Sequence, residues 1–161
     1  MRNMDTRVPL DPDIVVTDPG SSHVLLIVEA KVRESVSESE PQLRHYMWEM
    51  SCPVGLLVSP RTIVLYRNLF TGYSDDSIEK VGTFQAPSGW SVYEGPNAGI
   101  EFESRVQSWL EGLKNERTSE LTSEAADAFA EFVIPYLLQG EVRAAGPRMT
   151  RGIGVTFSAP C

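Results

Sequence analysis

Apolar and polar positions along the chain fall into short strand-like runs first and long helical repeats later. Residues 13–18 (DIVVTD) pattern as a short strand, and 23–31 (HVLLIVEAK) as a longer one. The second is a continuous run of branched apolar residues, as expected of a strand covered on both faces. Pro19-Gly20-Ser21-Ser22 between them is a turn cluster, so the two strands form a hairpin. Residues 38–51 pattern as a helix, with Leu43, Met47 and Met50 at helical spacing and Pro41 in its first turn. Strands at 54–59 and 62–67 follow, joined tightly through Pro60-Arg61. The stretch 69–99 is rich in Gly, Ser, Asp and Pro and reads mostly as loop, with one strand near 78–84.

Phe102, Val106, Trp109, Leu110 and Leu113 then mark an amphipathic helix. Leu121, Ala125, Ala128, Phe129, Phe132, Val133 and Tyr136 mark a second, kinked at Pro135 and ending at Gly140. Residues 141–161 read as a flexible tail. The order predicts an α/β fold, a mixed sheet flanked by helices and closed by two C-terminal amphipathic helices that offer a dimer interface. One domain over 1–140 accounts for the pattern.

Composition narrows the function classes. At 161 residues the chain fits one domain with a real core. No apolar run approaches a membrane span, and the start, MRNMDTRVPLDPD, lacks the apolar core of a secretory signal. The two cysteines, Cys52 and Cys161, share no metal-type spacing and make no disulfide framework, which points to a reduced, cytoplasmic setting. The net charge of −8 opposes nucleic-acid binding in general. Its distribution matters, however. Residues 29–68 carry five basic and five acidic side chains, whereas 101–141 hold nine carboxylates against three basic groups.

The chemistry is concentrated where the second strand stops being apolar. After Val28 come Glu29, Ala30 and Lys31, and strand alternation sends Glu29 and Lys31 to one face. A three-residue loop at Gly20–Ser22 pairs Pro19 with His23, and counting back then sets Asp13 opposite Glu29 on that face. Two carboxylates so close repel unless a cation neutralises them. A small set of hard oxygen ligands suits Mg²⁺ or Mn²⁺, and Lys31 beside them can stabilise charge developing on a phosphodiester. Taken singly, Asp13 after Pro12 reads as a turn residue and Glu-Ala-Lys as a solvated charge pair; their combination with a turn, a buried strand and a following helix carries the site.

Pro12-Asp13 followed by Glu29-Ala30-Lys31 resembles the PD-(D/E)xK signature of restriction-endonuclease-like nucleases. Gln42-Leu-Arg-His-Tyr46 matches the QxxxY motif of the same superfamily. Over residues 11–68 the chain resembles in particular the nuclease domain that opens the restriction subunit of type I restriction enzymes. The resemblance implies a restriction-endonuclease-like core and a metal-dependent endo- or exonuclease acting on DNA. Asp13, Glu29 and the backbone carbonyl of Ala30 would hold Mg²⁺ or Mn²⁺, and Lys31 would be the catalytic lysine. Gln42 and Tyr46 would orient that lysine or the DNA. Arg33, Arg44 and His45 are the phosphate-contact candidates. Such nucleases usually carry a helix before the Pro-Asp strand, and the dozen residues before Asp13, with Pro9 and Pro12 among them, do not fit one. A homodimer mate or a partner subunit would then supply it. The competing readings are a nuclease-fold interaction or DNA-binding module with little catalysis, and a phosphoesterase or RNA-directed nuclease on the same scaffold.

Overall fold

A strand as uniformly apolar as 24–30 is stable only when both its faces are covered, and that requirement organises the fold. The computed structural model describes residues 12–33, 36–87, 89–90, 93–115 and 120–145. It holds a six-stranded mixed sheet in the order β5-β4-β3-β2-β1-β6. The strands are β1 (Ile14–Thr17), β2 (Val24–Ala30), β3 (Val54–Val58), β4 (Thr62–Asn68), β5 (Ile78–Gln85) and β6 (Glu141–Ala144). Only β2 and β3 pair parallel, and the crossover between them is helix α1 (Val36–Glu49). Every other pairing is antiparallel.

Alternation along the strands divides the core between the two faces. Val15, Ile27, Leu57, Val64 and Tyr66 pack under Leu43, Tyr46 and Met47 of α1. Gly55 lies in that interface because a Cβ there would come within 2.5 Å of Met47 Sδ. On the opposite face, Ile14, Val16, Leu26, Val28, Leu56 and Leu65 pack against helices α2 (Ala98–Lys114), α3 (Ser123–Phe132) and α4 (Ile134–Gln139). The apolar sides of the C-terminal helices are thus spent inside the molecule: Phe102, Val106, Leu110, Leu113 and Phe129 are all fully buried. They do not form the exposed dimer face expected from their periodicity. Among the described residues no helix is long and apolar enough to cross a membrane.

Several expectations shift. Helix α1 starts at Val36, so Pro41 lies inside it rather than in the first turn, and it ends at Glu49, short of residue 51. The strand expected near 78–84 in the loop-rich stretch is present as β5, one residue longer at its end. The second C-terminal helix is broken at Val133 into α3 and α4, with Pro135 in the first turn of α4, where its missing N–H is harmless. The tail expected from 141 onward begins instead with β6, which pairs antiparallel with β1; the rest of it, from 146, lies outside the described residues, as does the segment before Pro12 in which a leading helix was sought.

The hairpin reaches its expected register by a different route. Asp18 N donates to the His23 carbonyl at 2.9 Å, so the loop spans Pro19–Ser22, with Ser22 at φ 62. A bulge between Val16 and Thr17 pairings then restores the count, and Ile14 stands opposite Val28. One step further, Asp13 faces Glu29.

Candidate active site

The sheet delivers its polar groups at the end where β2 and β3 finish. Lys31 N donates to the Val58 carbonyl at 2.8 Å, so the peptides at 29 and 31 address β3 while that of Ala30 addresses β1. The Ala30 N–H is taken by Asp13 Oδ2 at 2.8 Å. Continuing the register sets Pro12 opposite Ala30, and proline has no N–H to give. The Ala30 carbonyl, on the same side as its N–H in an antiparallel ladder, is therefore left without a donor from β1. Pro12 thus has a physical function in the Pro-Asp pair: it clears an acceptor beside the acids.

Glu29 is only 2% exposed although it is a carboxylic acid at a strand end. Burial pushes its pKa up to about 8; the Asp13 carboxylate adds repulsion and accepts a hydrogen bond from the protonated form, against the pull of Lys31. Lys31 Nζ lies 3.6 Å from Glu29 Oε1 and is well exposed, too far and too wet to neutralise the acid fully. Burial and the neighbouring acid together outweigh the lysine.

Helix α1 brings the next pair over the same face. Tyr46, 1% exposed, packs with Val15 and Ile27, each two residues from the acids along its own strand. Gln42 Nε2 donates to Tyr46 Oη at 3.0 Å, one helical turn away. The structure therefore brings together Asp13, Glu29, Ala30 and Lys31 at one sheet end, with Gln42 and Tyr46 coupled above the same face.

The phosphate-contact candidates fare differently. Arg33 is exposed just beyond Lys31, at the same end of the sheet. His45 points to solvent with Nε2 3.5 Å from Glu49 Oε1. Arg44 is committed to the fold: Nη1 donates to the Ile78 carbonyl, Nη2 lies 3.8 Å from Glu40 Oε2, and the guanidinium sits over the Tyr66 ring. It lies on the β4–β5 flank of α1, away from Gln42 and Tyr46. Tyr66 Oη also donates to Glu40 Oε2 at 2.6 Å, and Lys80 Nζ lies 3.5 Å from the same oxygen. Burial alone would raise Glu40, but Tyr66, Lys80 and Arg44 together outweigh it and hold the acid below its usual range. Tyr66 is raised, by burial first and by Glu40 second. This cluster anchors α1 to the sheet.

The chain matches no protein-family model, no curated protein and no solved structure at a significant level. Its chemistry rests on its own residues.

Those residues fit some cations and not others. Among the described residues no group of three or more His, Cys, Asp or Glu side chains is placed to hold a metal on its own. Mg²⁺ and Mn²⁺ are suited by one or two carboxylates, a carbonyl and otherwise water or substrate oxygens, which is what Asp13, Glu29 and Ala30 offer. Cys52 is no competing ligand or nucleophile: its Sγ donates to the Val54 carbonyl at 3.2 Å, and burial pushes the thiol up to about 12.

Proposed function

We propose that this chain is a divalent-cation-dependent nuclease that hydrolyses phosphodiester bonds of DNA. The observation that carries the reading is a buried Glu29 beside the half-buried Asp13, with Lys31 Nζ 3.6 Å from Glu29. A structural acid pair would be expected at the surface or fully matched by bases; here one acid is buried, the other half-buried, and a single exposed lysine faces them. The PD-(D/E)xK and QxxxY patterns support the same reading from the sequence side.

Asp13, Glu29 and the Ala30 carbonyl would hold Mg²⁺ or Mn²⁺. The bound cation would make water a better nucleophile at neutral pH and offset charge on the phosphate. Glu29, whose raised pKa leaves it largely protonated at neutral pH, would release that proton to solvent in order to serve as a ligand. Asp13 keeps one oxygen on the Ala30 N–H, which fixes the rotamer of its carboxylate. Lys31 supplies the fixed positive charge beside the scissile phosphate, where the negative charge grows. Gln42, anchored on Tyr46, would orient the lysine or the DNA.

Calorimetric titration with Mn²⁺, with cutting of linear DNA scored in parallel, tests this reading. We expect uptake of cation and cutting by the wild type, both lost in Asp13→Ala. Cation binding or cutting that survives Asp13→Ala at wild-type level overturns it.

A further inference from the structure

Strand β6 carries the chain back onto the face that bears the acids. Val142 packs with the core beneath α2, so alternation sends Glu141, Arg143 and Ala145 to the α1 side of the sheet. Arg143 pairs directly with Val15, and Ala145 N donates to the Asp13 carbonyl at 3.1 Å. Arg143 is therefore a diagonal cross-strand neighbour of Asp13 on one face, about 7–8 Å away between Cα atoms, within reach of a long side chain. The strand is the last in the sheet, so its outer side forms a rim beside the acids.

The charge at this rim is available. Arg44 is tied to Glu40 and Ile78, and Arg67 lies 2.7 Å from Glu79. Arg143 is exposed, and among the described residues no carboxylate lies within ion-pair distance of it, although Glu141 stands two residues before it on the same face. A guanidinium held on a strand, open to solvent and beside a phosphodiester-cleaving site, suits a phosphate oxygen of the polymer better than a base edge.

We propose that Arg143 binds the DNA backbone next to the scissile phosphate, making β6 the rim of a groove for a polynucleotide that continues past the cleaved bond. The inference rests on the nuclease reading of the Asp13–Glu29 site and adds the residue that holds the backbone next to the cleaved bond. It also assigns a binding function to a segment whose sequence reads as tail.

The test measures binding of fluorescein-labelled duplex and single-stranded 20-mers by anisotropy across a salt series. Glu29→Gln with Mg²⁺ serves as the background that prevents cutting, and wild-type cutting is scored separately. Arg143→Ala should weaken binding roughly tenfold and flatten the slope of log K against log salt by about one, the signature of one lost phosphate contact. Arg143→Lys should keep the slope, and the melting temperature should stay level in both; Arg143→Gln replaces the alanine variant if that one loosens the edge strand. Affinity within twofold of the background and an unchanged slope for Arg143→Ala and Arg143→Gln overturn the inference, and if the wild type still cuts, they overturn it alone. Binding that depends on Arg143 without any cutting by the wild type upholds the rim and sinks the nuclease reading. No binding to either DNA overturns the rim outright.

Discussion

Glu29 joins stability to function in a single residue. Its folded-state pKa of about 8 stands above the ordinary 4.5, so the folded protein holds a proton that the unfolded chain has released. The more protonated state is the folded one, so stability falls as pH rises from about 4.5 through about 8, and the loss is complete above that. Glu29→Gln removes this dependence. Without cation it should gain on the wild type with rising pH, by roughly 1–3 kcal/mol at pH 9 and little at pH 5, read by denaturant melts. A difference that does not change with pH contradicts the buried-acid account. Tyr46→Phe tests the next residue out. Loss of the Gln42–Tyr46 hydrogen bond should cost about 1 kcal/mol of stability and lower the cutting rate roughly five- to tenfold if Gln42 is an orienting group. A rate equal to wild type would reduce the pair to packing.

Individual residues were also the most legible part of the sequence. Asp13, Glu29 and Lys31 could be placed on one face because strand alternation and antiparallel pairing have rigid periods. The role of Pro12 was not legible, since it depends on which edge of β2 the Ala30 peptide faces, and that requires knowing that β3 lies on the other side. The anchoring of Arg44 is illegible for a similar reason: its partners Ile78 and Tyr66 are remote in sequence, and helical position alone does not show which flank of α1 meets β4 and β5.

At the scale of elements, strong periodicity located α2, and the break between α3 and α4 followed from Pro135. The hairpin shows two compensating departures, a longer loop and a bulge, that leave the register of Asp13 and Glu29 as counted. Strand β6 is illegible in the sequence because four residues of Glu-Val-Arg-Ala are too short to declare a period, and only its pairing with β1 makes it a strand. Gly140 is the signal that could have exposed it. A Cβ at that position would fall 2.6 Å from Val16 Cγ1 and 2.8 Å from the Thr17 carbonyl, so the chain passes tightly over β1 as it enters β6. Lys114 Nζ fixes the same point by donating to the Gly140 carbonyl at 2.6 Å. Gly140→Ala should therefore destabilise by roughly 1–3 kcal/mol, seen as a lower denaturant midpoint, and an unchanged midpoint would contradict this close crossing. Because β6 carries Arg143, the same substitution should also weaken DNA binding.

Across the whole molecule, the acidic balance and the proposed substrate are reconciled by geography. The −8 charge is weighted toward 101–141, and most of the described carboxylates of that stretch lie on α2 and α3, opposite α1, while the sheet end with Asp13 and Glu29 adds Lys31 and Arg33 and the β6 rim adds Arg143 beside Glu141. DNA held on the α1 side, as proposed, would meet those cations and keep the sheet between itself and most of the acid excess. The three-layer arrangement was legible from the order of elements; which helices cover which face was not, because both faces of the sheet are equally apolar. The claim on which the rest depends is that this sheet end cleaves phosphodiester bonds with a divalent cation. Its most direct test is incubation of linear and closed circular DNA with Mg²⁺ or Mn²⁺, wild type beside Glu29→Gln and Lys31→Ala. The account predicts cutting that needs the cation and that both substitutions abolish, with nicking of closed circles if the action is endonucleolytic. Intact DNA under every condition, or cutting that either variant retains, would contradict it.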